Sequence, residues 1–329
     1  MRWGTFSRKV RKRFAKRVRR LCNAAMATDF ALHTFDAVLP HGITLVCRSN
    51  APLDAPSSLP RVVLLHGFPE GAFAWDEVLE RLAGKVVAVA PDLRGFGRSS
   101  APTAVEAYQA RALVQDIVAL IERSGRAPID LLVAHDWGGA VAWNLAAARP
   151  DLVARLMILN SPHPATFLRD LRNDPRQQAA SAYMTFLCRP DAAALLAADG
   201  YARLWAFFEK MGRSADWLTP ALRERYRAHW ALGLEGGLNY YRASPLRPGV
   251  GAIDLPDERV TVRVPTTVLW GEGDTALLPG LIDGLERWVP ELRLVRVPDA
   301  THWIVHERPE LVTDEILRAI GGAAAADRR

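Results

Sequence analysis

The sequence predicts an α/β protein in which a mostly parallel sheet is flanked by helices, with a helical segment inserted between two of the strands. Short, continuously apolar runs alternate with helical patterns, as expected for strands that helices cover on both faces. Turn residues between the first two runs indicate a hairpin. The predicted strands are 30–38, 43–48, 61–65, 85–90, 130–134, 154–160, 266–270 and 292–297, and the predicted helices between them include 75–83, 108–123 and 137–148.

The alternation of strands and helices stops between residues 164 and 257. This stretch is rich in Ala, Leu, Arg and aromatic residues, and we interpret 164–257 as a helical lid, or cap domain, inserted into a core of residues 29–163 and 258–320. The final residues, 321–329, have low complexity and predict a frayed, disordered end. The helical patterns of the lid lie at 177–187, 192–208 and 220–232.

Positive charge is concentrated at the N-terminus. The 329 residues carry a formal net charge of +6, yet residues 1–25 hold ten basic and no acidic residues, so the remainder is slightly acidic. The basic surplus therefore predicts no nucleic-acid-binding domain. Three interpretations of the extension 1–28 stay open: a weak contact of residues 1–25 with an anionic membrane surface, a transit-peptide-like address, or residues ahead of a native start at Met26. Its apolar positions recur at helical spacing, at Trp3, Phe6, Val10, Phe14, Val18 and Leu21.

The cysteines and glycines exclude several kinds of site. Three cysteines without metal-ligand spacing predict neither a disulfide scaffold nor a cysteine-based zinc site. Gly95 and Gly97 lack the third glycine of a dinucleotide fingerprint, because Ser100 stands in its place. No apolar run is long enough to span a bilayer.

We expect a cytoplasmic protein that needs no metal or organic cofactor. The abundance of Ala with few Lys is typical of GC-rich bacterial coding.

A strand-to-helix junction places Asp136 where a nucleophile would stand. The junction reads Ala134-His135-Asp136-Trp137-Gly138-Gly139, and its small residues permit the sharp turn of a nucleophile elbow, which lifts the central side chain above the sheet. The helix N-terminus favours the ionised carboxylate. Such a nucleophile suits attack on an sp³ carbon, which forms an alkyl ester, whereas acyl transfer ordinarily uses Ser or Cys. The alternative is that Asp136 only caps the helix.

Three further segments supply the remaining parts of such a site. The loop after the strand 61–65 can aim the backbone N–H of Phe68 at the point that the N–H of Trp137 faces, and two converging donors form an oxyanion hole. His302 follows the last predicted strand and is the best-placed base. Asp274 follows the strand 266–270 in the chain order nucleophile, acid, base, and would orient His302. Glu272 is the rival acid, closer to the strand end.

These motifs together resemble the alpha/beta-hydrolase fold family, and within it the epoxide hydrolases and their haloalkane and haloacetate dehalogenase relatives. The resemblance covers about residues 30–320 and rests on HGFPE, DLRGFGRS, HDWGGAVAW and GEGD…HW. It implies two lid tyrosines that hold and protonate an epoxide oxygen. Tyr183, in SAYMTFL before Pro190, and Tyr241, in LNYYRA, match these positions, with Tyr240 where the family often has Trp.

The resemblance implies hydrolysis of a small apolar epoxide to a vicinal diol, with water as the second substrate. We expect Phe68, Trp137 and Tyr240 to line an apolar pocket at the boundary of core and lid. Two alternatives stay open. A dehalogenase would use the same Asp136, but haloalkane enzymes typically have Asn where Phe68 stands, and haloacetate enzymes typically have Arg where Trp137 stands. The other alternative is a non-catalytic ligand-binding protein, because a fold alone does not determine function. The sequence leaves the oligomeric state open.

Overall fold

The computed structural model describes residues 31–52, 58–212, 215–249, 251 and 253–326. The predicted N-terminal extension 1–28 lies outside the described residues, as do residues 327–329. Of the helices within the described part, none is long and apolar enough to cross a membrane.

The strands of the described residues form one sheet that is mostly parallel. They are β1 (His33–Val38), β2 (Thr44–Ser49), β3 (Arg61–Leu65), β4 (Val87–Pro91), β5 (Leu131–His135), β6 (Leu156–Leu159), β7 (Thr266–Gly271) and β8 (Leu292–Val297). Their order in the sheet is β1-β2-β4-β3-β5-β6-β7-β8. The β1–β2 and β2–β4 pairs are antiparallel, and the strands from β4 through β8 run parallel. This topology confirms the predicted fold class.

Helices flank the sheet and fill the long connection between β6 and β7. They are α1 (Asp76–Leu82), α2 (Ala110–Arg123), α3 (Asp136–Ala148), α4 (Pro164–Asn173), α5 (Pro175–Ala180), α6 (Tyr183–Leu187), α7 (Ala192–Lys210), α8 (Pro220–Trp230), α9 (Glu235–Ala243), α10 (Asp257–Val260), α11 (Ile304–Glu307) and α12 (Pro309–Ala326).

Local sequence explains where the helices between β6 and β7 begin. Proline occupies the first position of α4, α5 and α8, where its missing N–H leaves no hydrogen bond unmade. The residue before each proline caps the helix: the side chains of His163, Asp174 and Thr219 accept hydrogen bonds from N–H groups of the first turn. We call residues 164–257 the helical insertion.

The helices differ from the sequence-based expectation at three places. The predicted helix 177–187 is divided after Ala180, because α6 starts anew at Tyr183. Within α7, Asp199, Gly200 and Tyr201 have φ of 51°, 62° and 67°, so the chain changes direction there. At the C-terminus, α12 extends to Ala326, into the segment predicted to fray, because the run of alanines is strongly helix-forming.

The parallel strands bring the predicted site residues to one edge of the sheet. Phe68 follows β3, Asp136 follows β5, Asp274 follows β7, and His302 follows β8. Since neighbouring parallel strands end at the same edge, residues far apart in the chain meet there, as is general for open α/β sheets.

The close packing of α3 on β3 requires glycine at position 138. A Cβ atom on Gly138 would lie 2.6 Å from the carbonyl oxygens of both Leu65 and His66. These are backbone atoms, so the contact cannot be relieved by a change of side-chain rotamer. Glycine here lets the first turn of α3 approach the end of β3, which brings Asp136 close to the loop that follows β3.

We expect Gly138→Ala to destabilise the fold by about 1–3 kcal/mol, the usual range for overpacking. The measurement is the free energy of unfolding of the full chain in urea. Gly280→Ala is the matched control, because a Cβ there meets nothing within 4 Å, and it should change stability by no more than about 0.5 kcal/mol. Equal effects of the two substitutions would contradict the argument.

Candidate active site

Asp136 lies at the turn between β5 and α3 in a backbone conformation that few residues adopt. Its φ is 47°, in the left-handed region that is uncommon for residues other than glycine. The carbonyl of Asp136 accepts a hydrogen bond of 2.6 Å from the hydroxyl of Ser161, which helps to hold this turn. A Cβ atom on Gly67 would collide with the Asp136 side chain, so the loop after β3 passes directly beside the carboxylate.

The two oxygens of Asp136 have different surroundings. The backbone N–H of Phe68 donates a hydrogen bond of 2.8 Å to Oδ1. Oδ2 faces the imidazole of His302, with 3.8 Å between Oδ2 and Nε2. Trp137, whose N–H is the second predicted oxyanion-hole donor, follows Asp136 directly in the first turn of α3. One carboxylate oxygen is therefore held by the backbone, and the other faces His302.

Asp274 orients His302 from the opposite side of the imidazole ring. The distance between His302 Nδ1 and Asp274 Oδ2 is 2.7 Å, and because a carboxylate only accepts, Nδ1 carries a proton. Oδ1 of Asp274 accepts the backbone N–H groups of Ala276 and Leu277, each at 2.9 Å. The rival acid Glu272 lies elsewhere, with its carboxylate 3.1 Å from the guanidinium of Arg296.

His302 is positively charged at neutral pH in this arrangement. Burial of the ring opposes the charge, but the carboxylates of Asp274 and Asp136 outweigh burial and raise the pKa of His302 to about 9. The charge on His302 therefore depends on the two carboxylates that face it.

Asn160 supports Asp274, and the sequence analysis missed it. Its Nδ2 donates a hydrogen bond of 2.9 Å to Asp274 Oδ2, and its Oδ1 accepts the N–H of Gly271 at 2.8 Å. Asn160 follows β6 with φ of 37°, a conformation in which Asn is enriched. The signal was a polar residue at the end of a central strand, but the function of that residue depends on a contact made across the sheet.

A second buried network, also missed, lies behind His302. His135 Nε2 lies 2.8 Å from the carbonyl oxygen of His302, and His135 Nδ1 lies 3.2 Å from Glu70 Oε2. The other oxygen of Glu70 accepts from the Tyr226 hydroxyl at 2.8 Å and lies 2.7 Å from His306 Nε2. Burial alone would raise the pKa of Glu70, but its hydrogen bonds with His135 and His306 hold it well below the usual range.

The helical insertion places two tyrosines beside Asp136. The rings of Tyr183, from α6, and Tyr241, from α9, lie 6.3 Å apart, and Tyr241 packs edge-on against Trp137 at 4.9 Å. Burial, followed by the charge of Asp136, raises the pKa of Tyr183, and burial, Tyr183 and Asp136 raise the pKa of Tyr241. Both phenols therefore keep their protons at neutral pH. The hydroxyl of Tyr240 instead donates to the carbonyl of Arg94 at 2.9 Å.

Two cavities adjoin these groups. The long cavity, of about 180 Å³, is lined by Asp136, Tyr183 and Tyr241 together with Trp137, Tyr240 and many apolar residues. The small cavity, of about 10 Å³, is lined by Asp136, Tyr183, Tyr241, His302, Phe68, Pro69, Phe207, Met211 and Trp303, and its volume is about that of one water-sized probe.

The structure places the predicted pocket residues on different cavities. Trp137 and Tyr240 line the long cavity, whereas Phe68 lines the small one. Among the described residues, no group of three or more His, Cys, Asp or Glu side chains is arranged to hold a metal ion.

Comparison with known proteins identifies the family. The family model of the alpha/beta hydrolase fold matches residues 60–309. The chain is 34% identical over 282 residues to the AB hydrolase superfamily protein YfhM of Bacillus subtilis, covering 84% of this chain and 94% of that protein. It is 32% identical over 273 residues to Epoxide hydrolase 3 of Xenopus tropicalis, covering 79% of this chain and 70% of that protein.

A solved structure agrees with the sequence relatives. The crystal structure of a Bacillus megaterium epoxide hydrolase in complex with an inhibitor superposes with a TM-score of 0.78 at 28% identity, covering 87% of this chain and 100% of that one. With the family match, these similarities show that the chain belongs to the alpha/beta hydrolase fold family, in its epoxide hydrolase branch.

Proposed function

We propose that the protein hydrolyses epoxides to vicinal diols through an alkyl ester on Asp136. The observation that carries the proposal is one cavity lined by a carboxylate and two tyrosines, Asp136, Tyr183 and Tyr241. Opening an epoxide needs a nucleophile for carbon and an acid for oxygen, and this cavity offers both. The relatives named as epoxide hydrolases support the same assignment.

In the first step, Oδ2 of Asp136 attacks an epoxide carbon and the bond from that carbon to the ring oxygen breaks. The ring oxygen takes a proton from Tyr183 or Tyr241, since an unprotonated alkoxide is a poor leaving group. The N–H of Phe68 holds Oδ1, which leaves Oδ2 as the attacking atom. The product of this step is an alkyl ester on Asp136.

In the second step, water attacks the ester carbonyl carbon while His302 Nε2 takes a proton from the water. The N–H groups of Phe68 and Trp137 stabilise the oxyanion. The intermediate then expels the diol oxygen, which takes the remaining proton of the attacking water, and the carboxylate of Asp136 is restored. The small cavity beside His302 and Asp136 is a suitable place for this water.

The charge on Asp136 controls when His302 can act as a base. Before the first step, two carboxylates face His302, and they raise its pKa to about 9, so the ring is protonated at neutral pH. Esterification removes the negative charge of Asp136, which lowers the pKa of His302. The ring therefore releases its proton, and this proton restores the phenol of the tyrosine that protonated the epoxide oxygen. His302 therefore becomes a base only after the alkyl ester on Asp136 has formed.

The two alternatives are less well supported. The resemblance implies Asn at the position of Phe68 for a haloalkane dehalogenase and Arg at the position of Trp137 for a haloacetate dehalogenase, and this chain has neither. A ligand-binding protein without activity has no need of a buried histidine that bonds to Asp274 on one side and faces Asp136 at 3.8 Å on the other.

We expect His302→Gln to trap the ester, because the first step needs no base and the second does. Turnover of 1,2-epoxyoctane should fall by about 10²–10⁴-fold, and mass spectrometry should find the adduct on the peptide that contains Asp136. The control is His33→Gln, which changes an exposed histidine on β1. An adduct from 1-bromooctane but not from the epoxide would move the assignment to a dehalogenase.

Removal of both tyrosine hydroxyls should block opening of the epoxide. We expect the double variant Tyr183→Phe, Tyr241→Phe to lose at least about 10²-fold in kcat/KM, because the alkoxide then lacks its acid. Tyr240→Phe, which removes a neighbouring hydroxyl bonded to the Arg94 carbonyl, should lose far less. Comparable losses from the double variant and from Tyr240→Phe would refute the acid role.

The two chemical steps should differ in their dependence on pH. Between pH 6 and pH 8 the alkylation rate should be nearly constant, whereas the hydrolysis rate should rise with pH through an apparent pKa below the value of about 9 that His302 has in the free enzyme. Stopped-flow kinetics separates the steps, and NMR titration of the free enzyme gives the reference pKa. A hydrolysis pKa at or above that reference would overturn the charge-control argument.

A further inference from the structure

We propose that the substrates are terminal epoxides with a single apolar substituent, and that Phe207 and Met211 exclude a second substituent. This inference rests on the proposed function. It starts from the shape of the space around Asp136, which consists of two unequal cavities rather than one symmetrical chamber.

The reacting groups form the wall between the two cavities. Asp136, Tyr183 and Tyr241 line both cavities, and the two share no other lining residue. An epoxide whose oxygen meets the tyrosines and whose carbon meets Asp136 therefore has open space on the side of the long cavity and about 10 Å³ on the other side.

The long cavity extends along one face of α3, and we call it the arm. Trp137, Ala140, Val141 and Asn144 line it, at the spacing of residues that share a helix face. From Asp136 to Asn144 the helix rises about 12 Å, which accommodates an extended alkyl chain or an aromatic group.

The chemistry of the arm favours a neutral, apolar substituent. Among the described lining residues, Asp136 is the only one with a charged side chain. Beyond the tyrosines, the polar side chains are those of Asn144 and Ser244, and Asn144 already donates to the carbonyl of Ala140 at 2.7 Å. An apolar chain in the arm displaces water without leaving a buried charge unpaired.

Phe207 and Met211 close the opposite side. They come from the second part of α7 and from the residue after it, which the left-handed residues 199–201 redirect. The ring of Phe207 stands edge-on to Phe68 at 6.5 Å and to Tyr183 at 5.8 Å. The space that remains suits a water molecule beside His302, and a carbon substituent in the same place would displace that water.

The test compares two isomers of equal composition, 1,2-epoxyoctane and trans-4,5-epoxyoctane. For the parent protein we expect kcat/KM for the terminal isomer to exceed that for the internal isomer by on the order of 100-fold, the scale on which a pocket rejects misplaced carbon groups. The double variant Phe207→Ala, Met211→Ala should raise kcat/KM for the internal isomer by roughly 10-fold and reduce the ratio between the isomers.

Two further variants distinguish an effect of pocket shape on the kcat/KM ratio from an effect of lost folding. Phe186→Ala removes a partly buried ring from α6 that lines neither cavity and should leave the ratio unchanged. Ala140→Phe fills the arm and should lower kcat/KM for 1,2-epoxyoctane more than for 1,2-epoxypropane. This second comparison tests the arm even if the double variant fails to fold.

The outcomes distinguish this inference from the proposed function. Equal kcat/KM for the two octene oxides would overturn the preference for a single substituent but would not contradict epoxide hydrolysis. The same conclusion would follow if Ala140→Phe lowered kcat/KM equally for 1,2-epoxyoctane and 1,2-epoxypropane. A parent protein that hydrolyses none of the three epoxides would overturn both.

Discussion

The close approach of α3 to the end of β3 is the constraint on which the rest of the site depends. Gly138 permits it, because any Cβ atom there would meet the carbonyl oxygens of Leu65 and His66. The approach brings the N–H of Phe68 to Oδ1 of Asp136 and leaves Oδ2 facing His302. Without it, the N–H of Phe68 would not hold Oδ1, and this backbone contact would not select which of the two oxygens reacts.

The electrostatics of the site connects this geometry to the order of the two proposed chemical steps. His302 lies between two carboxylates, and its proton affinity depends on both of them. In the proposed reaction, one of the two carboxylates is the nucleophile itself, so forming the covalent bond changes the charge that faces the base. Burial strengthens this coupling, since charges in a poorly solvated site interact more strongly than charges in water. The same burial, with the charge of Asp136, keeps the protons on Tyr183 and Tyr241.

The helical insertion contributes the parts of the site that give it shape. Tyr183 and Tyr241 come from α6 and α9, and Phe207 comes from α7 after its left-handed break. The core alone would present Asp136 and His302 at an open sheet edge. The insertion encloses them and divides the remaining space into a long cavity and a small one, which together support the proposed division between substrate and water.

The sequence by itself determined the order of strands and helices and the strand ends where Asp136, Asp274 and His302 stand, because apolar runs and turn residues are local patterns. It also indicated Tyr183 and Tyr241 through their resemblance to a family. Only the tertiary structure decided that Asn160 bonds to Asp274, that Glu70 and His135 lie behind His302, and that Phe68 and Phe207 line the small cavity. These features depend on contacts between residues far apart in the chain, and their distances and volumes arise from packing that no local pattern encodes.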